Sequence, residues 1–128
     1  TPAVTDAPAP PYRLPAIGDI VTGFGELSAG GVRARGITIA TAPKAAVVAP
    51  AAGRIAFAGP FRGYDHIVII EHGGGWTSLI ARLDRLSVEP GETVRQGDPI
   101  GTTGAASARL TLELRRQDRA VDVAALVR

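Results

Sequence analysis

Residues 109–115, Arg-Leu-Thr-Leu-Glu-Leu-Arg, alternate polar and apolar side chains without a break. Because successive side chains of a β-strand point to opposite faces of a sheet, this segment predicts a half-buried strand. Its apolar members should face a core: Leu110, Leu112 and Leu114. Its polar members then share the other face: Arg109, Thr111, Glu113 and Arg115. That polar face is the first candidate functional surface.

Other short apolar segments lie between glycines and prolines, as many short strands and turns require. The predicted strands are Val32–Ala40, Ala45–Ala49, Gly53–Ala58, His66–Glu71, Thr77–Ala81 and Arg109–Arg115. Residues 87–104 place Pro-Gly, Gly-Asp-Pro and Thr-Gly between single apolar residues, which predicts tight turns around Val94 and Ile100. Helix is scarce, and its best candidate is Ala120–Val127. We therefore expect a mainly β fold.

The first 16 residues differ in composition from the rest of the chain. They hold five of the ten prolines among alanines and threonines, which disfavours helix and strand and favours an extended segment. We therefore divide the chain into a Pro/Ala-rich linker or tail, residues 1–16, and one globular domain, residues 17–128, beginning near Ile17. A length of 128 residues with 45% hydrophobic content fits one such domain.

The composition excludes several kinds of site and partner. Without cysteine there is no disulfide framework and no thiolate zinc site. The net charge of +2 is spread along the chain, so nucleic acid is not an expected partner. No apolar run approaches the about 20 residues of a membrane span, and the chain starts without Met or a basic leader. We expect a soluble fragment of a longer protein.

Two short motifs suggest other functions but lack residues that those functions need. His72 and the three glycines after it spell the oxyanion-loop motif of lipases, yet the sequence has no Gly-x-Ser-x-Gly nucleophile elbow. Residues 88–101 resemble half of a biotinyl or lipoyl carrier, whose hairpin presents a modified lysine. The sole lysine, Lys44, lies outside that segment, so a carrier function is not expected.

Five segments, in this order, resemble the LytM-type (lysostaphin-like) metallopeptidase family over about residues 17–128. They are RARGITIA (33–40), APAAGRIAFAG (49–59), FRGYDHIVIIEHGGGWTSLIARL (61–83), VEPGETVRQGDPIG (88–101) and RLTLELRRQDRAVD (109–122). The shared order makes the resemblance specific. It implies a single antiparallel β-sheet domain with a groove, walled by the strands at residues 33–39 and 109–115.

The resemblance also implies that the zinc ligands have been replaced. Active members of this family hold zinc with the His and Asp of a His-x-x-x-Asp motif and the second His of a His-x-His motif. The matching positions in this chain are Ala34, Thr38 and Thr111. Alanine offers no donor, and a neutral threonine hydroxyl is a poor zinc ligand. We expect no metal, no other cofactor and no catalysis.

The catalytic histidines of the family are replaced as well. The strand-borne histidine becomes Arg82, and the first His of His-x-His becomes Arg109. A guanidinium has no lone pair with which to bind a metal or accept a proton. The two histidines that the chain does contain, His66 and His72, lie six residues apart on one predicted strand, roughly 20 Å from each other. They cannot bind one ion together.

Among degenerate relatives, the chain resembles the EnvC-type murein hydrolase activators, whose inactive LytM domain switches on cell-wall amidases during bacterial division. The ending LELRRQDRAVD (112–122) is similar to theirs, as is the basic residue before glycine in Arg35-Gly36. The resemblance implies a periplasmic, non-catalytic activator whose partner is a periplasmic N-acetylmuramoyl-L-alanine amidase. It also implies a link to an inner-membrane division complex through N-terminal regions outside this sequence.

The resemblance places the amidase's regulatory helix in the former substrate groove. Arginine suits such a groove, because its planar guanidinium can bind a carboxylate through two hydrogen bonds. The expected partner-binding residues lie at matched positions along the groove: Arg35, Thr38, Tyr64, Arg82, Arg109, Thr111 and Arg115. The alternative is a non-catalytic module that binds peptidoglycan itself in this groove. The sequence does not choose between these two ligands.

Overall fold

The computed structural model describes residues 11–106 and 108–123, which are built almost entirely of antiparallel strands. The strands in this part of the chain are β1 (Gly18–Thr22), β2 (Ile37–Thr41), β3 (Ala46–Val48), β4 (Gly53–Pro60), β5 (His66–Gly73), β6 (Trp76–Leu83), β7 (Arg85–Leu86), β8 (Thr93–Val94), β9 (Pro99–Thr102), β10 (Arg109–Arg116) and β11 (Arg119–Val121). A large sheet has the order β1-β2-β10-β6-β5-β4-β8, with β11 pairing β10, and a small sheet has the order β3-β9-β7. The predicted mainly β, antiparallel fold is confirmed.

Strand β10 lies at the centre of the large sheet, between β2 and β6. Its alternation is confirmed, because the three leucines are fully buried while the polar residues between them are not. Isoleucines of the two neighbouring strands pack on the same face: Ile37, Ile39 and Ile80. One face of the large sheet therefore covers the core, and the polar side chains of β10 line the opposite face.

The predicted strand Val32–Ala40 is wrong in its first half, because β2 begins at Ile37. Residues 23–36 instead form a loop that closes on itself through backbone hydrogen bonds, one of them from the Ala34 N–H to the Glu26 carbonyl (2.9 Å). Such bonds satisfy backbone groups that a strand would offer to its neighbour. The groove wall on this side is therefore partly loop.

The tight turns predicted around Val94 and Ile100 are confirmed, and both residues are buried. Before Val94, Gly91 has a φ of 95°, and the turn closes with a hydrogen bond from the Glu92 N–H to the Glu89 carbonyl (3.2 Å). Glycine adopts this left-handed conformation without steric cost, which explains its place after proline in the turn.

The helix predicted for Ala120–Val127 is wrong at its first two residues, which belong to β11. Residues 124–127 lie outside the described residues. The strand forms because residues 119–121 pair with the end of β10 across a two-residue turn, which a single apolar run does not reveal. In the described part of the chain, no helix has the length and hydropathy that crossing a bilayer requires.

Residues 11–16, which composition assigns to the linker, pack against the domain. Tyr12 is only 5% exposed and belongs to the core cluster. The Val48 N–H donates to the Pro15 carbonyl (2.8 Å), which joins this segment to β3. Packing therefore starts before the predicted boundary at Ile17. Composition misses this because one aromatic side chain can enter a core from a segment that is otherwise rich in proline.

Gly36 allows the start of β2 to approach β10 closely. A Cβ atom at this position would lie 2.1 Å from the Leu112 carbonyl oxygen and 2.9 Å from its carbonyl carbon. These are backbone atoms of a central strand, so they cannot move aside as the end of a flexible side chain could. The close approach supports the register in which Thr38 lies beside Thr111.

Replacing Gly36 by alanine tests this constraint. We expect Gly36→Ala to lower the free energy of unfolding by about 2 kcal/mol or more, because the added methyl group must displace the backbone of β10. The matched control is Gly30→Ala, whose Cβ would find its nearest neighbour, Ser28 Oγ, at 3.9 Å. That change should stay within about 0.5 kcal/mol. Urea unfolding measures the stability of both variants. Equal stabilities would show that the close approach of the two backbones at Gly36 does not constrain the fold.

Candidate functional site

The face of the large sheet opposite the core has a row of small side chains at its centre. Thr111 of β10 is in register with Thr38 of β2 on one side and with Ala81 of β6 on the other. Residues directly opposite each other in antiparallel strands project to the same face. The structure therefore brings the predicted groove residues Thr38 and Thr111 together, side by side on the groove floor.

The two arginines of β10 on this face have different surroundings. Arg115 makes an ion pair with Glu113, two residues earlier on the same strand. Arg109 is exposed at the other end of the strand, next to Ala40 of β2. No ion pair or side-chain hydrogen bond joins the Arg109 guanidinium to another described residue. Arg115 is therefore largely neutralised within the chain, whereas Arg109 can offer its charge to a ligand.

A second row, made of apolar side chains, crosses the same face. It lies two residues further along β10 than the row that contains Thr111. Phe57 of β4 is in register with Ile69 of β5, Ile69 with Leu79 of β6, and Leu79 with Glu113. Phe57 is 37% exposed, and the other two apolar side chains are partly exposed. This row is not evident from the sequence, because residues 67–70 form a continuous apolar run whose periodicity does not reveal which face each residue takes.

A cavity of about 250 Å³ opens at one end of the apolar row. Its lining includes Ile69, Gly75, Thr77, Leu79, Arg115, Gln117 and Asp118. The cavity thus combines apolar side chains of β5 and β6 with polar groups at the turn between β10 and β11. It gives this end of the groove a concave surface rather than a flat one.

Tyr64 and Arg82, both predicted groove residues, meet at the hairpin between β4 and β5. The Arg82 N–H donates to the Tyr64 carbonyl (2.9 Å), and the Arg82 guanidinium lies over the Tyr64 ring, 5.9 Å from its centroid. Phe61 extends this contact, with its ring centroid 6.0 Å from that of Tyr64. All three side chains are exposed. They form an aromatic and cationic surface next to Ala81, at the edge of the groove floor.

Ala34 and Arg35 lie in the loop of residues 23–36 rather than on a strand. Ala34 helps to line a cavity of about 290 Å³ together with the apolar side chains of Leu27 and Val32. Arg35 is exposed, and among the described residues no side-chain hydrogen bond or ion pair joins it to another candidate. The structure therefore does not tie Arg35 to the other groove arginines.

The positions that the resemblance matches to zinc ligands do not suit a metal ion. Ala34 has no donor atom, and Thr38 and Thr111 offer only neutral hydroxyls, which are poor zinc ligands. Within residues 11–106 and 108–123, no group of three or more His, Asp or Glu side chains is arranged to hold a metal ion.

Comparisons with known sequences connect this chain to cell-wall proteins. The family described as Peptidase family M23 matches residues 32–123. The murein hydrolase activator NlpD of Escherichia coli (strain K12) is 34% identical over 122 residues, which cover 92% of this chain and 31% of NlpD. The murein hydrolase activator EnvC of the same organism is 34% identical over 112 residues, 84% of this chain and 27% of EnvC. The chain thus spans about a third of the length of these curated relatives.

Solved structures share the fold at lower sequence identity. Csd3 of Helicobacter pylori superposes with a TM-score of 0.84 and 20% identity, covering 94% of this chain and 34% of Csd3. Lysostaphin superposes with a TM-score of 0.78 and 20% identity, covering 89% of this chain and 52% of lysostaphin. These likenesses establish a common fold, including the sheet on which the groove lies.

Both histidines of β5 are engaged within the domain. The His66 Nδ1 atom lies 3.1 Å from the Leu83 carbonyl oxygen. The His72 Nδ1 atom lies 2.7 Å from the Ala52 carbonyl oxygen, and its Nε2 atom lies 2.7 Å from Ser78 Oγ. The two side chains sit near opposite ends of the strand and use separate partners, so they do not form a joint metal site.

Ser78 and Tyr12 extend the hydrogen bonds of His72 into the core. Because a carbonyl only accepts, Nδ1 donates to Ala52, and we assign Nε2 of the neutral ring as the acceptor from Ser78. The Tyr12 hydroxyl, 2.6 Å from Ser78 Oγ, then donates to Ser78. Burial raises the pKa of Tyr12 well above its usual value, which keeps this donor protonated. The network is not evident from the sequence, because Tyr12 lies 60 or more residues from His72 and Ser78 in the chain.

Protonation of His72 would disturb this network. Nε2 would become a donor facing the Ser78 hydroxyl, and one buried donor would be left without an acceptor. Burial of the ring lowers the pKa of His72, and the hydrogen bond to Ala52 offsets only part of that effect. The folded domain therefore holds His72 in its neutral form more strongly than the unfolded chain does.

This difference predicts how stability depends on pH. Since the pKa of His72 is lower in the folded state than its unfolded value of about 6.5, the unfolded chain binds the proton first as pH falls. Neutral His72 contributes fully to the free energy of unfolding above about pH 6.5. This contribution is lost as the pH decreases toward the pKa of His72 in the folded state. Urea unfolding between about pH 7.5 and pH 5 should show a steeper decline for wild type than for His72→Gln. Equal slopes would show that His72 is not the titrating group.

Proposed function

Because the chain belongs to peptidase family M23 and its zinc-matched positions carry no suitable donors, we propose that it is a non-catalytic activator of cell-wall amidases. The observation that carries this proposal is the row of Thr38, Thr111 and Ala81 on the groove floor. These small, uncharged side chains keep the groove of the family open but do not supply good zinc ligands. The relatives named murein hydrolase activators, NlpD and EnvC, support the same conclusion.

We propose that the groove receives a regulatory helix of a periplasmic N-acetylmuramoyl-L-alanine amidase. An amphipathic helix binds such a groove by placing apolar anchors, spaced three or four residues apart, against an apolar floor. Phe57, Ile69 and Leu79 supply that floor across three adjacent strands. Displacing the helix from the amidase's own active site would then free the amidase to act.

The charged groups of the groove divide into two sets in this proposal. Arg82 and Arg109 carry exposed guanidinium groups that are free to bind carboxylates of the helix. Arg115 is paired with Glu113, so its role is to order the groove rather than to bind the partner directly. Polar contacts from Thr38, Tyr64 and Thr111 would fix the register of the helix. Arg35 would contact the helix from the neighbouring loop.

The names of related proteins support a proposal for the place of action. The matched proteins include lipoproteins and murein hydrolase activators of bacterial envelopes, so we propose a periplasmic location and a role in cell division. A connection to an inner-membrane division complex would require parts of the protein outside this sequence. The domain itself would supply the step that switches on the amidase.

The assignment of the former metal positions can be tested by restoring them. We expect the wild-type domain to keep no stoichiometric zinc after dialysis and to leave peptidoglycan uncut, because Ala34, Thr38 and Thr111 offer no adequate donor set. The triple variant Ala34→His, Thr38→Asp, Thr111→His should retain about one zinc ion per chain. Metal analysis by mass spectrometry measures both. Zinc in the wild-type domain, or none in the triple variant, would contradict the assignment.

The groove proposal predicts a selective loss of activation in a charge-reversed variant. Arg109→Glu should abolish stimulation of the amidase while the melting temperature stays nearly unchanged, because exposed substitutions usually alter stability by about 0.5 kcal/mol or less. Losing a paired arginine from an interface costs about 2 to 5 kcal/mol, which would reduce affinity at least about 30-fold. The readout is release of dye-labelled peptidoglycan by candidate periplasmic amidases.

The matched control is Arg95→Glu. Arg95 is an exposed arginine between β8 and β9, and β8 lies at the edge of the large sheet farthest from β1 and β2, away from the groove floor. Its reversal should leave activation at the wild-type level. Loss of activation in both variants would point to a general charge effect, and normal activation by Arg109→Glu would place the partner surface elsewhere.

A further inference from the structure

Residues 11–14, which we call the strap, lie against the domain ahead of β1. The Arg13 N–H donates to the Pro50 carbonyl (3.0 Å), and the Gln96 side chain donates to the Pro11 carbonyl (3.1 Å). Arg13 itself is exposed. Short surface segments that are held in this way open with less free energy than the core strands do. The attachment of the strap therefore depends on its buried aromatic side chain.

Tyr12 is that side chain, and it joins the strap to the core through a chain of hydrogen bonds. Its hydroxyl donates to Ser78 of β6 (2.6 Å), and Ser78 donates to His72 Nε2 (2.7 Å). The His72 Nδ1 atom donates to the Ala52 carbonyl before β4 (2.7 Å). Ser78 is fully buried and Tyr12 nearly so, whereas His72 is partly exposed. Of these side chains, His72 is therefore the one that a proton from solvent reaches.

A proton on His72 Nε2 reverses the direction of this chain. Nε2 then donates to Ser78, the Ser78 hydroxyl turns to donate to the Tyr12 oxygen, and the Tyr12 hydroxyl loses its acceptor. A buried donor without an acceptor is unfavourable, and Tyr12 regains one from water only by leaving the core. The cost of the proton thus falls on the strap, which is the part of the network that opens most easily.

The surroundings of His72 do not offset this effect with a charge. Among the described residues, no ion pair includes His72. The groups that face its ring are its hydrogen-bond partners and the Tyr12 ring, which makes an edge-on contact with centroids 6.1 Å apart. The charged neighbours are Glu71 on the same strand and Arg54 on β4, which pair with each other at 3.9 Å. Burial lowers the pKa of His72, so the strap stays attached at neutral pH.

We propose that the strap is a proton-released tether: protonation of His72 detaches residues 11–14 while the sheets stay folded. Release stops at Pro15, which is buried and whose carbonyl accepts from the Val48 N–H (2.8 Å). The freed residues, fully extended at about 3.4 Å each, add up to about 14 Å between the domain and the chain before it. Release requires no groove ligand and no amidase, so this inference extends beyond the proposed function and can be true without it.

Nuclear magnetic resonance on the 15N-labelled chain tests the release. Backbone order parameters of Tyr12, Arg13 and Leu14 are measured from about pH 7.5 to about pH 4.5, together with the titration of the His72 ring. We expect these order parameters to fall from about 0.85 to below about 0.6 as His72 takes up its proton. Amides of β6 and β10 should keep order parameters of about 0.85 over the same range.

Variants assign the effect to the network. His72→Gln cannot take up the proton, so its strap should stay ordered at every pH. Tyr12→Phe removes the donor that would lose its acceptor, so the order of its strap should no longer follow the titration of His72. The matched control is His66→Gln, because His66 lies at the other end of β5, 3.1 Å from the Leu83 carbonyl oxygen. Its strap should be released as in wild type.

The proposal is overturned if the strap of the wild-type chain stays ordered down to about pH 4.5. It is also overturned if β6 and β10 lose order together with the strap, because release would then not be local. A pH-dependent strap in His72→Gln, or a permanently ordered one in His66→Gln, would contradict the role of His72. A thermal melt shows whether each variant is folded, and Tyr12→Phe decides the matter if His72→Gln is unstable.

Discussion

The register of β10 between β2 and β6 is the constraint on which the rest of the domain depends. Three leucines on one face of β10 are buried against isoleucines of its neighbours, and a slip of one residue would turn all of them toward solvent. The same register places Thr111 between Thr38 and Ala81 on the other face. The core and the groove are thus two sides of one hydrogen-bonded ladder. A sequence that retains the three leucines therefore retains the groove, irrespective of which side chains lie on the groove face.

This arrangement separates the core from the positions that the resemblance matches to zinc ligands. The positions matched to zinc ligands lie in the loop before β2 and on the groove face, while the core lies on the opposite face and is filled by aliphatic side chains. Side chains at those positions can therefore differ without creating a cavity in the core. Arg109 and Arg82 are exposed, whereas Arg115 is paired with Glu113.

Sequence reasoning succeeded where a residue pattern has one physical meaning. The strict alternation of residues 109–115 allows only a half-buried strand, and Pro-Gly followed by a single apolar residue allows few structures besides a turn. It failed where long-range pairing decides the outcome. The loop of residues 23–36 bonds to itself, and Ala120 joins β11 only because β10 offers an edge nearby. The apolar row through Ile69 depends on strand registers that no local pattern encodes.

Tyr12 determines how mechanical force would enter the domain. Its hydroxyl binds Ser78 on the core side of β6, and the backbone of the same segment bonds to β3, so residues 11–16 attach to the side of the sheet that faces away from the groove. A pull on the preceding chain would load the packed layer between the two sheets and would not act directly on the groove floor. The domain could therefore be held under tension by its N-terminal side while its opposite surface stays open to a ligand.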